Sequence, residues 1–143
     1  MKNGRRKGSK FELDMVKEFT KWTGIPWEKT FRSGGGKQKG DILPVNKGSR
    51  IILELKNRES WDHKNFFDGK GPIYSWWDKV VEEASSFQCE PVLILKKNYS
   101  KALVCCSPSL LKHLKLKPLV ILPQFSVIPL AYLLTADGSK ILQ

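Results

Sequence analysis

Four residues carry the strongest chemical signal in this chain: Asp41, and Glu54-Leu55-Lys56 at the end of the apolar run Ile51-Ile52-Leu53. A strand alternates faces, so Glu54 and Lys56 share one face and Leu55 points to the other. Gly40-Asp41-Ile42-Leu43-Pro44-Val45 reads as a partner strand, and Asn46-Lys47-Gly48-Ser49 between the two has turn chemistry. A loop of Lys47-Gly48 alone, or of Asn46 to Ser49, gives the same register: Val45 opposite Arg50, Leu43 opposite Ile52, and Asp41 opposite Glu54. Directly opposed carboxylates, about 5 Å apart at Cβ, repel one another. A hard cation such as Mg²⁺, which takes oxygen ligands, removes that repulsion. Lys56 on the same face can then meet a phosphate or a water. This is the chemistry of metal-dependent phosphodiester hydrolysis. The bland counterpart is a surface salt bridge at a hairpin end. Glu-x-Lys alone is common, but a register-matched Asp, a preceding glycine loop and a basic chain favour the functional reading.

The elements that must position these residues follow from periodicity. Ser9 and Glu12 form an S-x-x-E capping box, so a helix is expected to start at Ser9, after a basic arm over residues 1–8. Phe11, Met15, Phe19 and Trp22 make its apolar stripe, and Gly24 and Pro26 end it. Glu12 is explained by the capping box, or stands near the acidic pair as a third carboxylate; spacing alone leaves both open. Residues 27–33 form an edge strand that runs into the glycine-rich loop from Ser33 to Gly40, which carries Lys37 and Lys39. Arg32 and Ser33 at its mouth fit ordinary turn chemistry.

The central strands are apolar on both faces, which predicts a sheet covered on both sides. Residues 57–71 read as a polar loop in which Trp61, Phe66 and Phe67 either stack on nucleic acid or anchor the loop to the core. A helix is expected from Pro72 to about Phe87, then strands at Pro91–Leu95 and Ala102–Cys106, then a short helix from Ser107-Pro108 to about Leu114. The residues after it are ambiguous by pattern. The fold class is α/β, with a mixed central sheet flanked by helices.

At 143 residues the chain suits one domain with a core that needs no staples. The net charge of +11 makes a polyanion the leading partner, ahead of an acidic membrane surface. Lys and Arg outnumber Asp and Glu by 13 to 5 in the first 50 residues, so the basic surface is expected mainly there. Cys89, Cys105 and Cys106 are odd in number and lack CxxC spacing, which fits a reducing compartment and neither a disulfide framework nor a zinc site. No apolar signal segment follows the basic start. The apolar stretch Leu119 to Leu134 is short for a membrane span and is broken by Pro123 and Pro129, so it reads as core or subunit interface. His63 and His113 have no ligand partner at useful spacing and are read as non-catalytic.

The order Lys7-Gly8-Ser9-Lys10-Phe11-Glu12, Arg32-Ser33-Gly34, Gly40-Asp41, Glu54-Leu55-Lys56 resembles the archaeal-type Holliday junction resolvases of the PD-(D/E)XK nuclease superfamily. The resemblance covers about residues 5–97. It implies a restriction-endonuclease-like sheet, with Asp41, Glu54 and the Leu55 backbone carbonyl as metal ligands and Glu12 as a further acidic ligand. It makes Lys56 the residue that orients or polarises the attacking water, or steadies the charge developing on the phosphate, and Ser33 the serine beside the loop, so Glu12, Ser33, Asp41, Glu54 and Lys56 form the catalytic set. It implies Mg²⁺ as cofactor, with Mn²⁺ able to substitute, and a homodimer that cuts opposed strands of a four-way DNA junction. Arg5, Arg6, Lys7, Lys10, Arg32, Lys37, Lys39, Arg58 and Lys64 are the expected phosphate contacts. No small-molecule cofactor and no membrane is expected.

The chain departs from that pattern in three places. Gly40, not proline, precedes Asp41; residues 58–71 are longer than the usual connection; and residues 107–143 have no alignable counterpart, so they are read as a C-terminal extension of a single nuclease domain spanning 1–143. A compact resolvase with such additions suits a bacteriophage and the cytoplasm of its host. The rivals are a nuclease of the same superfamily with another DNA target, and a junction-binding protein that does not cleave.

Overall fold

The computed structural model describes residues 2–30 and 40–143, with side chains from Lys7 onward. Its frame is a mixed sheet of five strands in the order β3-β4-β5-β7-β6. These are β3 (Ile51–Asn57), β4 (Glu90–Lys96), β5 (Leu103–Cys106), β6 (Val120–Ile121) and β7 (Ser126–Pro129). β3 and β4 are parallel, joined by a crossover that contains α2 (Asn65–Asp68) and α3 (Pro72–Ser86); the remaining pairs are antiparallel. This is the expected mixed α/β architecture, and its two faces are covered as the apolar strands require.

On one face lies α1 (Lys2–Thr23), which packs Phe11, Met15 and Phe19 onto Ile51, Leu53 and Leu55. α4 (Pro108–His113) and α5 (Leu130–Leu133) add Leu110, Leu111, Leu130 and Leu133 to the same cluster. On the other face α3 buries Ile73, Trp77, Val80 and Ala84 against Ile52, Leu93 and Leu95. Fully burying such a side chain is worth about 1.5–3 kcal/mol, so β3 is clamped from both sides. Pro72 at the first helical position starts α3, and Ser107 caps α4 by accepting from the Leu110 amide at 3.2 Å. Gly24, at φ +77°, ends α1.

Three expectations are corrected. First, α1 begins at Lys2, so the basic segment is helical and Ser9 is not its cap. The proposed capping box is replaced by a side chain from outside the helix: Lys29 donates to Ser9 Oγ at 3.2 Å and pairs with Glu12 at 3.2 Å. Second, the hairpin ladder between residues 40–45 and 50–56 does not form. β2 (Ile42–Pro44) pairs instead with β1 (Trp27–Lys29), Leu43 opposite Glu28. The chain's own C-terminus takes the place beside the start of β3: Arg50 N–H donates to the Ile141 carbonyl at 2.8 Å, and Gln143 N–H to the Gly48 carbonyl at 2.9 Å. Third, β1 ends at Lys29, and residues 31–39 lie outside the described part. Residues 107–143 supply β6 and β7 to the sheet and α4 and α5 to one of its faces. β7 sits between β5 and β6, and Phe125, Val127 and Ile128 are core residues, whereas Leu119 and Ile121 are exposed.

Candidate active site

Although the hairpin is pried open, its far end still meets. Asp41 N–H donates to the Leu53 carbonyl at 2.7 Å, and Asp41 Oδ2 accepts from the Leu55 amide at 2.7 Å. Asp41 thus grips the open edge of β3 through backbone and side chain, immediately beside Glu54. Gly40 makes this approach possible. It lies at φ +81°, and a Cβ there would stand 2.5 Å from the Leu53 carbonyl oxygen. The glycine before Asp41 therefore has a steric reason in this chain.

Asp41 and Glu54 are 5% and 4% exposed. Buried carboxylates are costly unless charges or hydrogen bonds answer them. Glu54 Oε2 lies 3.2 Å from Lys56 Nζ, two residues on and on the same face. The Lys56 ammonium stands 5.6 Å from the ring centroid of Trp76, a half-buried residue of α3. In a strand, N–H and C=O of one residue project to the same side. The Leu55 carbonyl therefore faces the open edge on which its amide meets Asp41. Two carboxylates and a carbonyl would offer an oxygen-only donor set. Mg²⁺ suits such a set, because it is held by one or two carboxylates and keeps water or phosphate in the rest of its shell. Among the described residues no group of three His, Cys, Asp or Glu is placed to cage an ion.

The remaining candidates are dispersed. Glu12 is occupied by Lys29. Lys7 pairs with Glu59, whose carboxyl is held below its usual range first by that hydrogen bond and then by the Asn98 amide. Lys10 pairs with Asp14 on the exposed face of α1 at 3.0 Å. Arg58 lies just beyond Lys56 and against Gly8 of α1. Lys64 is exposed at the start of α2. Arg5 and Arg6 lie on α1, but their side chains, like Arg32, Ser33, Lys37 and Lys39, fall outside the described residues. Trp61 and Phe66 are loop anchors: both are buried, and Trp61 Nε1 donates to the Lys96 carbonyl at 3.2 Å. Phe67 alone of the three is exposed. His113 contacts the Lys140 carbonyl and His63 lies 4.0 Å from Asp62, neither near the acidic pair.

Two neighbours escaped the sequence reading. Lys29 reads as an ordinary strand residue, and nothing local links it to Glu12. Trp76 had a signal: adjacent tryptophans on a helix cannot both face the core, and Trp77 fills that role.

The family model described as "Phage putative PDDEXK endonuclease" matches residues 3–129. The chain belongs to that family. No curated protein matches it. Among solved structures it is similar to a protein of Archaeoglobus fulgidus, Hjc, a Holliday junction resolvase from an archaeal hyperthermophile, at 16% identity and a TM-score of 0.45, over 94% of this chain and 98% of that one. Nucleases of the PDDEXK group use divalent metals, in keeping with the oxygen donors of this endonuclease-family chain at the edge of β3. No helix among the described residues is long and apolar enough to cross a membrane.

Proposed function

We propose that this chain is a Mg²⁺-dependent endonuclease that cuts branched DNA, four-way junctions above all, acting as a homodimer in the host cytoplasm with 1–143 as one nuclease domain. The observation that supports the hydrolytic part is the hydrogen bond from the Leu55 amide to the buried Asp41 carboxylate, at the residue between Glu54 and Lys56, which pair with each other. Asp41, Glu54 and the Leu55 carbonyl would hold the ion. When bound, a divalent cation makes water a better nucleophile and takes up charge on the phosphate. Lys56, paired with Glu54 and beside the Trp76 ring, would orient that water or steady the phosphate. Ser33 and Glu12 complete the catalytic set by resemblance. Arg5, Arg6, Lys7, Lys10, Arg32, Lys37, Lys39, Arg58 and Lys64 would contact phosphates, and Mn²⁺ would substitute for Mg²⁺.

The preference for branches is supported by the order of the four motifs along the sequence. It would arise from the spacing of two sites in a dimer, because among the described residues no element presents a recognition helix for base edges. The test is cleavage of a labelled four-way junction beside a matched linear duplex, with Mg²⁺, with EDTA, and with Glu54→Ala. Paired nicks near the branch, lost in EDTA and in the variant, are expected. Equal cutting of the duplex would keep the nuclease and discard the resolvase. Junction binding by folded protein without any cleavage would discard both.

A further inference from the structure

β4 turns into β5 through Lys97-Asn98-Tyr99-Ser100, with an aromatic residue at the tip. Tyr99 is fully exposed, at 106% relative accessibility. Its φ is +60°, a left-handed conformation that Asn or Gly adopts easily and a bulky residue does not. The surroundings hold this arrangement in place. Lys96 Nζ donates to the carbonyls of Lys97 at 2.8 Å and Ser100 at 2.7 Å. Lys97 Nζ donates to the Trp61 carbonyl at 2.6 Å and stands 5.4 Å from the Trp61 ring centroid. The Asn98 amide donates to Glu59 at 2.8 Å. Hydrogen bonds to charged groups are the stronger kind. The turn is thus pinned at Lys97, Asn98 and Ser100, and the residue left over is a tyrosine with its ring in solvent. Strain at an exposed position that its neighbours over-determine points to a use for the side chain.

The position of the turn suggests the use. β3 and β4 are parallel, with Asn57 opposite Lys96. The turn therefore leaves the sheet at the C-terminal end of β3, beyond Lys56 and its partner Leu95, from the neighbouring strand. Lys96 and Lys97 are engaged in holding the turn, Glu59 caps Asn98, and Lys101 two residues beyond Tyr99 faces solvent. An exposed aromatic ring with a solvent-facing lysine nearby fits a nucleobase that has left its stack, with its phosphate near the cation.

We infer that Tyr99 stacks on an unpaired base at a discontinuity in DNA and holds that strand beside the site at β3. The inference rests on the nuclease reading and names a contact within it. The test is binding by the full chain, in EDTA and again in Ca²⁺, of a four-way junction with 2-aminopurine at the branch, beside a linear duplex. Wild type is compared with Tyr99→Phe, Tyr99→Asn and Tyr99→Gly. The Asn and Gly variants fit φ +60° and are expected to melt no lower than wild type. They should bind the junction about 5- to 100-fold more weakly, fail to quench the probe, and bind duplex as before. Tyr99→Phe should keep both affinity and quenching. Junction affinity unchanged in Tyr99→Asn, or duplex affinity lost to the same degree, would overturn the inference and leave the nuclease reading standing. Wild type that binds neither DNA would overturn the nuclease reading, and this inference with it.

Discussion

Asp41 serves the fold and the candidate site with different atoms. Its backbone amide and Oδ2 fasten the open edge of β3, and its carboxylate is the group the candidate site would use. The two roles can be separated. Asp41→Asn keeps an acceptor for the Leu55 amide and should change stability by less than about 1 kcal/mol, whereas Asp41→Ala strands a buried N–H and should cost about 1–3 kcal/mol. Both should lower cleavage by at least about 100-fold, the scale of losing a group that stabilises transition-state charge. Urea unfolding and a cleavage assay on the same samples check this. The cysteines are a second residue-scale case. Burial pushes the Cys105 thiol well above its usual range, and burial with the nearby Glu90 pushes Cys106 up to about 12 from 9.0. The native state keeps protons that the unfolded chain releases above pH 9. Stability should therefore fall between pH 9 and pH 12, by about 1.4 kcal/mol per pH unit for Cys106. At pH 8 a thiol reagent should find at most the half-buried Cys89 in native protein, and all three cysteines after denaturation.

At the scale of elements, the site depends on how β2 leaves β3. Gly40 and Asp41 touch β3, β2 then turns to β1, and residues 141–143 occupy the vacated edge at Gly48 to Arg50. Gly40→Ala would set a methyl against the Leu53 carbonyl at an unfavourable φ. It should cost about 1–3 kcal/mol and reduce cleavage by displacing Asp41. Thermal melting and nicking rates measured together check it; an active, wild-type-stable variant would contradict the geometry. Ile141, 1% exposed, anchors the C-terminal segment in the α1-side core. Ile141→Ala should cost about 2–5 kcal/mol, read as a lower urea midpoint.

At the scale of the molecule, the charge of +11 is the dominant feature, and much of it sits on α1, the segment that follows it and the β3–β4 end of the sheet. DNA affinity should fall with salt at a log–log slope of about −0.9 per phosphate neutralised. Replacing Lys10 and Lys64 by Gln should flatten that slope, with equal losses on all sequences. An affinity that ignores salt between 50 and 200 mM would contradict this reading of the basic surface.

The sequence alone determined what depends on local chemistry and alternation. The faces of β3 were legible because side chains alternate strictly, so Ile51, Leu53 and Leu55 meet α1 while Glu54 and Lys56 turn toward α3. The stripe of α1, the span of α3 and the strands to Cys106 were legible because their periods and flanking Pro and Gly signals agree. The tertiary structure decided what depends on competition for partners. The ladder from Val45 to Asp41 was plausible in isolation, yet β1 and the distant residues 141–143 offer those backbone groups better partners, and only the contact at Asp41 survives. Ser9 and Glu12 satisfy a local capping rule, yet the helix runs on past them to Lys2 and Lys29 claims both side chains. The residues after Leu114 resisted reading because β6 and β7 are too short to show a period, and their hairpin is fixed in the sheet by the pairing of β7 with β5, across the intervening α4.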